Sequence, residues 1–106
     1  IIISKPTNSV NIIEGAIYSG CGDDYSCYDV FATQVNVGEE VSWQNQDTEV
    51  HTVTSGTPAD GPDGLFDSGL IDNYMYFYHT FDEPDTYDYF CMVHPWMQGK
   101  VVVGEG

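Results

Sequence analysis

Four side chains in this 106-residue sequence could work together chemically. They are Cys91, His94 and Met97, spaced C-x2-H-x2-M, and His51, forty positions before the cysteine. A thiolate, two imidazoles and a thioether form a soft-to-borderline ligand set. Two histidines and one cysteine in a trigonal plane, with a weak axial methionine, is the arrangement of type 1 copper, so the pattern implies one copper ion. A loop joining two neighbouring strands can aim Cys91, His94 and Met97 at one point, and a strand from the facing part of the fold can supply His51. A structural zinc site fits less well, because such sites usually pair two cysteines at C-x2-4-C, a spacing the sequence lacks. A Cys-His nucleophile also fails, because nothing marks an orienting partner or an oxyanion hole. The third histidine, His79, shares a strand face with Met75, Phe77 and Phe81 and reads as structural.

The elements that must position these residues read as β throughout. Phe31-Ala32-Thr33-Gln34-Val35-Asn36-Val37 alternates apolar and polar residues up to Gly38. Strands are further expected at 41–43, 49–54, 75–81, 86–91 and 99–103. Shorter strands are expected at Ile1-Ile2-Ile3 and at Val10-Asn11-Ile12-Ile13, at one edge of a sheet. Residues 55–73, rich in Gly, Pro, Asp and Ser, read as one long surface loop. No segment shows helical periodicity with caps. Short strands at regular spacing imply an all-β sandwich, and the length fits a single domain over residues 1–106.

The chain carries 2 Lys+Arg against 17 Asp+Glu, a formal charge of −15, with 42% hydrophobic residues. That apolar share suffices for a core. So few cations cannot neutralise phosphates, which excludes nucleic acid as a partner, and the acidity opposes docking on anionic membranes. No run of 18 apolar residues exists to span a bilayer. The carboxylates are spread evenly over both halves and read as a solvating coat of the halophile type. Cys21 and Cys27, in a Gly- and Asp-rich loop, can close a small disulfide ring worth about 2.4 kcal/mol in the chain-entropy model; two free thiols or a metal pair remain the other readings. A bridge would place the protein outside the reducing cytosol, in a periplasm or at a cell surface. The start at Ile1, without Met or a basic segment, suggests a removed leader or anchor, or an excised domain.

His51-Thr52-Val53, Phe66-Asp67-Ser68-Gly69-Leu70-Ile71, His79-Thr80-Phe81 through Pro84, and Thr86-Tyr87-Asp88-Tyr89-Phe90-Cys91 together resemble the plastocyanin/halocyanin-type cupredoxins. The short ligand loop, with Pro95 after the second histidine, is similar to that of amicyanin. The resemblance spans roughly residues 30–103, and the first 30 residues show no comparable signature. It implies an eight-stranded Greek-key β-sandwich and one-electron transfer through a copper near solvent. His51, Cys91 and His94 would be the strong ligands and Met97 the axial one. Around them, Thr52 stands where family members often carry an Asn that ties two loops together. Val93 stands where many carry Pro, and restores an N–H donor beside the cysteine sulfur.

The ligand loop is uncharged, with Met92, Val93, Pro95, Trp96 and Met97 around His94. An apolar patch of this kind, with Met92 and Trp96 as docking residues, suits a redox protein partner with an electropositive docking patch. Met92 and Trp96 folding inward as loop anchors is the competing reading. The other function class is a copper oxidoreductase acting on a small neutral inorganic ligand such as nitric oxide. Multinuclear copper enzymes are disfavoured, because only three histidines exist and two are already committed. Copper storage fits poorly with a rigid one-cysteine site.

Overall fold

The computed structural model describes residues 8–105. Among these residues nine strands form two sheets: β1 (Ser9–Ile12), β2 (Tyr28–Asp29), β3 (Ala32–Asn36), β4 (Glu40–Asn45), β5 (Thr54–Thr57), β6 (Gly61–Asp67), β7 (Tyr76–Thr80), β8 (Asp85–Phe90) and β9 (Gln98–Gly104). One sheet runs β2-β1-β4-β7, the other β3-β9-β8-β5-β6. The pairs β1–β4 and β3–β9 are parallel and the remaining pairs antiparallel. The chain crosses between the sheets repeatedly, which is the Greek-key sandwich expected. The only helical element among the described residues is a short 3-10 turn, Ser19–Gly22.

Period-two alternation builds the core. β4 buries Val41, Trp43 and Asn45, and β9 buries Gly99, Val101 and Val103, while their alternate residues stay more exposed. Trp43 lies between the sheets, 5.5 Å in ring centroids from Phe77 and 5.5 Å from Tyr89, which in turn sits edge-on to Tyr28 at 4.7 Å. Edge-to-face pairs of this kind add about 0.5–1.5 kcal/mol each beyond the area they bury.

The β-sandwich is as expected, with nine strands among the described residues, while several local expectations need correction. Residues 55–73 are not one loop, because β5 and β6 form a hairpin there. Its glycines and Pro62 read as turn residues, but β6 lies at the end of its sheet, where Pro is tolerated. The 49–53 stretch is not a regular strand. His51 makes an isolated bridge to Ile71, and the next two amides are used elsewhere, Thr52 N–H on Cys91 Sγ and Val53 N–H on Ser68 Oγ. The Val10 strand is no edge either, because the two-residue β2 covers its outer side. Met75 precedes β7 and is 58% exposed, so it does not share the inward face of Phe77 and His79. The Ile1-Ile2-Ile3 expectation lies outside the described residues. No helix of the described residues is long and apolar enough to cross a membrane.

Candidate metal centre

β8 and β9 form an antiparallel hairpin in which Phe90 faces Gln98, so residues 91–97 are its loop. That loop is tied across its base, because Cys91 N–H donates to Met97 C=O at 3.1 Å and Met97 N–H to His94 C=O at 3.0 Å. Cys91 and Met97 are both fully buried at its two ends. His94 stands half-buried at the tip, between Val93 (46% exposed) and the exposed Pro95. His51 arrives on the connection between β4 and β5 and is fully buried.

The donor atoms converge. His51 Nδ1 and His94 Nδ1 are 3.0 Å apart, and Cys91 Sγ lies 3.9 Å from the first and 3.8 Å from the second. Nitrogen and sulfur donors sharing one ion at about 2.0–2.3 Å must lie within roughly 4.6 Å of one another, and these do. Orientation supports the same conclusion. His51 Nε2 bonds to Asp47 Oδ2 at 2.6 Å, so in the neutral ring the lone pair is at Nδ1, facing the thiol sulfur and the second imidazole. One sulfur and two imidazole nitrogens turned toward a single point suit a cation.

The electrostatics favour a thiolate. Burial raises the Cys91 pKa, but the adjoining His51 ring, the Thr52 N–H on Sγ and the nearby amides of His94 and Val93 outweigh it and hold the thiol below its ordinary value. Burial lowers the His51 pKa, yet its bonds to Cys91 and Asp47 leave it raised. His94 is lowered by burial and then by neighbouring His51. Asp47 is raised by burial and more than compensated by His51 and the amides of Gly15, Thr48 and Ile17, which leave it lowered.

Around the donors, Thr52 Oγ1 accepts the Met92 amide at 2.9 Å, joining the His51 segment to the ligand loop. Met92 is 50% exposed. Trp96 is half-buried, and its indole N–H donates to Ala16 C=O at 3.0 Å. His79 lies away from the cluster, its ring 4.9 Å from Phe66 and 4.8 Å from Phe81. Cys21 and Cys27 form a disulfide. Asp47 and Tyr28 escaped the sequence reading. Asp47 lies between the strands expected at 41–43 and 49–54, and nothing local distinguishes its carboxylate from the sixteen others.

The family model for copper-binding proteins of the plastocyanin/azurin family matches residues 19–104. The match therefore starts earlier than residue 30 and takes in the disulfide loop. Amicyanin from Paracoccus denitrificans is 36% identical over 76 residues, covering 72% of this chain and 57% of that protein. Amicyanin from Paracoccus versutus is 36% identical over 69 residues, 65% of this chain and 52% of that protein. The chain thus spans little more than half the length of these relatives. Among solved structures, a purple cupredoxin from Nitrosopumilus maritimus superposes with TM-score 0.81 at 28% identity, covering 91% of this chain and 98% of that one. The Cu(I) form of a mutant amicyanin superposes at 0.70 and 27% identity, covering 95% and 85%. Cys91 and His94 on a hairpin loop of a Greek-key sandwich, meeting His51 from the β4–β5 connection at one point, agree with these matches over most of the chain, which belongs to the plastocyanin/azurin family of copper-binding proteins.

Proposed function

We propose that this chain is a mononuclear type 1 copper protein that carries single electrons between redox partners. The observation that carries the reading is the convergence of His51 Nδ1, His94 Nδ1 and Cys91 Sγ, all within 4.8 Å of one another. In this reading His51, Cys91 and His94 are the strong ligands, and the buried Met97 is the axial one. Copper, when bound, supplies a one-electron Cu(II)/Cu(I) couple. The protein supplies rigidity. Asp47 orients His51, the Thr52 hydroxyl holds the ligand loop, and the bonds across the loop base limit ligand movement when the charge changes.

His94 is the electron port, because it alone of the three is incompletely buried. Met92, Val93 and Pro95 surround it with exposed apolar surface, and Trp96 adds its uncovered edge. A small apolar contact in an acidic coat suits brief docking to a redox protein with an electropositive patch. The disulfide supports an extracytoplasmic location, where such bonds persist.

Titration with Cu(II), followed by visible absorption and electron paramagnetic resonance, tests the reading. An intense thiolate-to-copper band, saturating at one copper per chain, bleached by a mild reductant and absent in Cys91→Ser, is expected. Copper bound without that band would remove Cys91 from the ligand set and the electron-carrier reading with it.

A further inference from the structure

The loop 13–27 joins β1 to β2 and has no ladder of its own. Ile13 N–H donates to Cys27 C=O at 3.1 Å, Ser26 N–H to Cys21 C=O at 2.9 Å, and the Cys21–Cys27 disulfide closes the loop. Ala16, near its start, is fully buried. A loop with three carboxylates of its own, on a chain of charge −15, would gain by swinging into solvent. It is nonetheless held down by contacts that each end one residue short of a metal donor.

On the His51 side, Gly15 N–H donates to Asp47 Oδ1 and Ile17 N–H to Asp47 Oδ2, both at 3.1 Å, and Oδ2 takes His51 Nε2 at 2.6 Å. Gly15 adopts φ +89°, a conformation that favours glycine and turns these amides toward the carboxylate. Towards His94, Ala16 C=O takes the Trp96 indole N–H at 3.0 Å, and the Trp96 ring lies 5.3 Å from the His94 ring. Gly22 passes so close that a Cβ there would stand 2.9 Å from Trp96 Cβ. Next to Cys91, Tyr28 immediately beyond the disulfide donates its hydroxyl to Thr52 C=O at 2.6 Å, and Thr52 N–H reaches Cys91 Sγ at 3.3 Å.

We propose that the disulfide-closed loop 13–27 is a positioning element of the copper centre, setting His51 through Asp47 and the 91–97 loop through Trp96. The inference rests on the copper reading above. If the loop opened, the buried Asp47 carboxylate would lose two of its four N–H donors and Trp96 its only fixed acceptor, so two of the three strong ligands would lose their supports. Outer hydrogen bonds of this kind hold metal ligands to a degree worth 10–100-fold in affinity. The disulfide would then act on the metal site as well as on chain entropy.

Two variants test this, compared with a parent chain whose thiolate-to-copper band has first been established; a parent without the band would sink the copper reading instead. Cys21→Ser/Cys27→Ser opens the ring, and Trp96→Phe keeps the aromatic ring but removes the N–H. The expected result for both is a ten- to hundredfold weaker copper dissociation constant and a displaced charge-transfer band. In the copper-free double variant, the His51 ring nitrogen resonances should also move. A double variant that loses thermal stability but keeps the parent's band, copper affinity and His51 resonances overturns the proposal. Should the double variant not fold, Trp96→Phe decides, and a parent-like band and affinity in that variant overturns the proposal as well.

Discussion

At the scale of single residues, the sulfur of Cys91 is where the chemistry is tuned. Thr52 N–H approaches it at 3.3 Å, and the Val93 and His94 amides add to the field that holds the thiol pKa low. Each donor withdraws charge from the thiolate and so favours the reduced metal. Val93 is the one that substitution can remove cleanly, because proline has no N–H. Val93→Pro is expected to lower the reduction potential, read by spectroelectrochemical titration. An unchanged or higher potential would show that the Val93 amide does not act on the sulfur. His51, Cys91 and His94, whose donor atoms converge, were legible from type and spacing. Asp47 was not, because a carboxylate's role depends on what faces it, and its partners lie 30 and 32 positions earlier and four later.

Among the elements, β7 shows how one strand divides its duties. Its outward face carries Tyr76 and Tyr78, stacked at 5.7 Å, and its inward face carries Phe77 and His79. Burial among Phe66, Phe77 and Phe81 lowers the His79 pKa, and Asp82 opposes this only in part. The unfolded chain therefore binds this proton more readily than the folded one. Stability should fall as pH drops below about 6.5, the unperturbed histidine value, towards the lower folded pKa, and return above that window. His79→Gln should flatten this slope relative to the parent in denaturant unfolding of the copper-loaded protein between pH 5 and 8. An equally steep slope in the variant would place the titration elsewhere. Alternation made β3 readable, but β6 was missed, because GPDGLFD has turn composition and buries only Phe66. An edge strand needs little apolar pattern, since one side of its ladder and most of its side chains meet water.

For the whole molecule, charge is the dominant feature. Seventeen carboxylates face two lysines, and one of these, Lys100, lies 5.7 Å over the Phe31 ring. Self-repulsion of this size is screened by salt, whose Debye length shrinks from about 10 Å at 0.1 M to about 3 Å at 1 M. The thermal midpoint is therefore expected to rise between low salt and 1 M NaCl, followed by circular dichroism. A flat or falling midpoint would mean that repulsion within the coat does little to limit stability. The same screening should slow association with a cationic partner, so stability and docking rate move in opposite directions with salt.

The order of residues alone determined the chemistry on offer. One cysteine, two histidines and a methionine at these spacings select a soft, one-ion site, and strand periodicity selects a sandwich to carry it. Apart from His51, forty positions before the cysteine, these are local properties, written in residue type and in separations of two, three and six. Tertiary structure decided what surrounds the site. It left His51 out of any ladder, set Asp47 and Thr52 against the ligands, and folded the loop 13–27 onto them. It also turned the Trp96 indole towards Ala16, eighty positions away. Contacts at that range depend on where two sheets meet, and a hydrogen bond between distant segments leaves no periodic trace in either one.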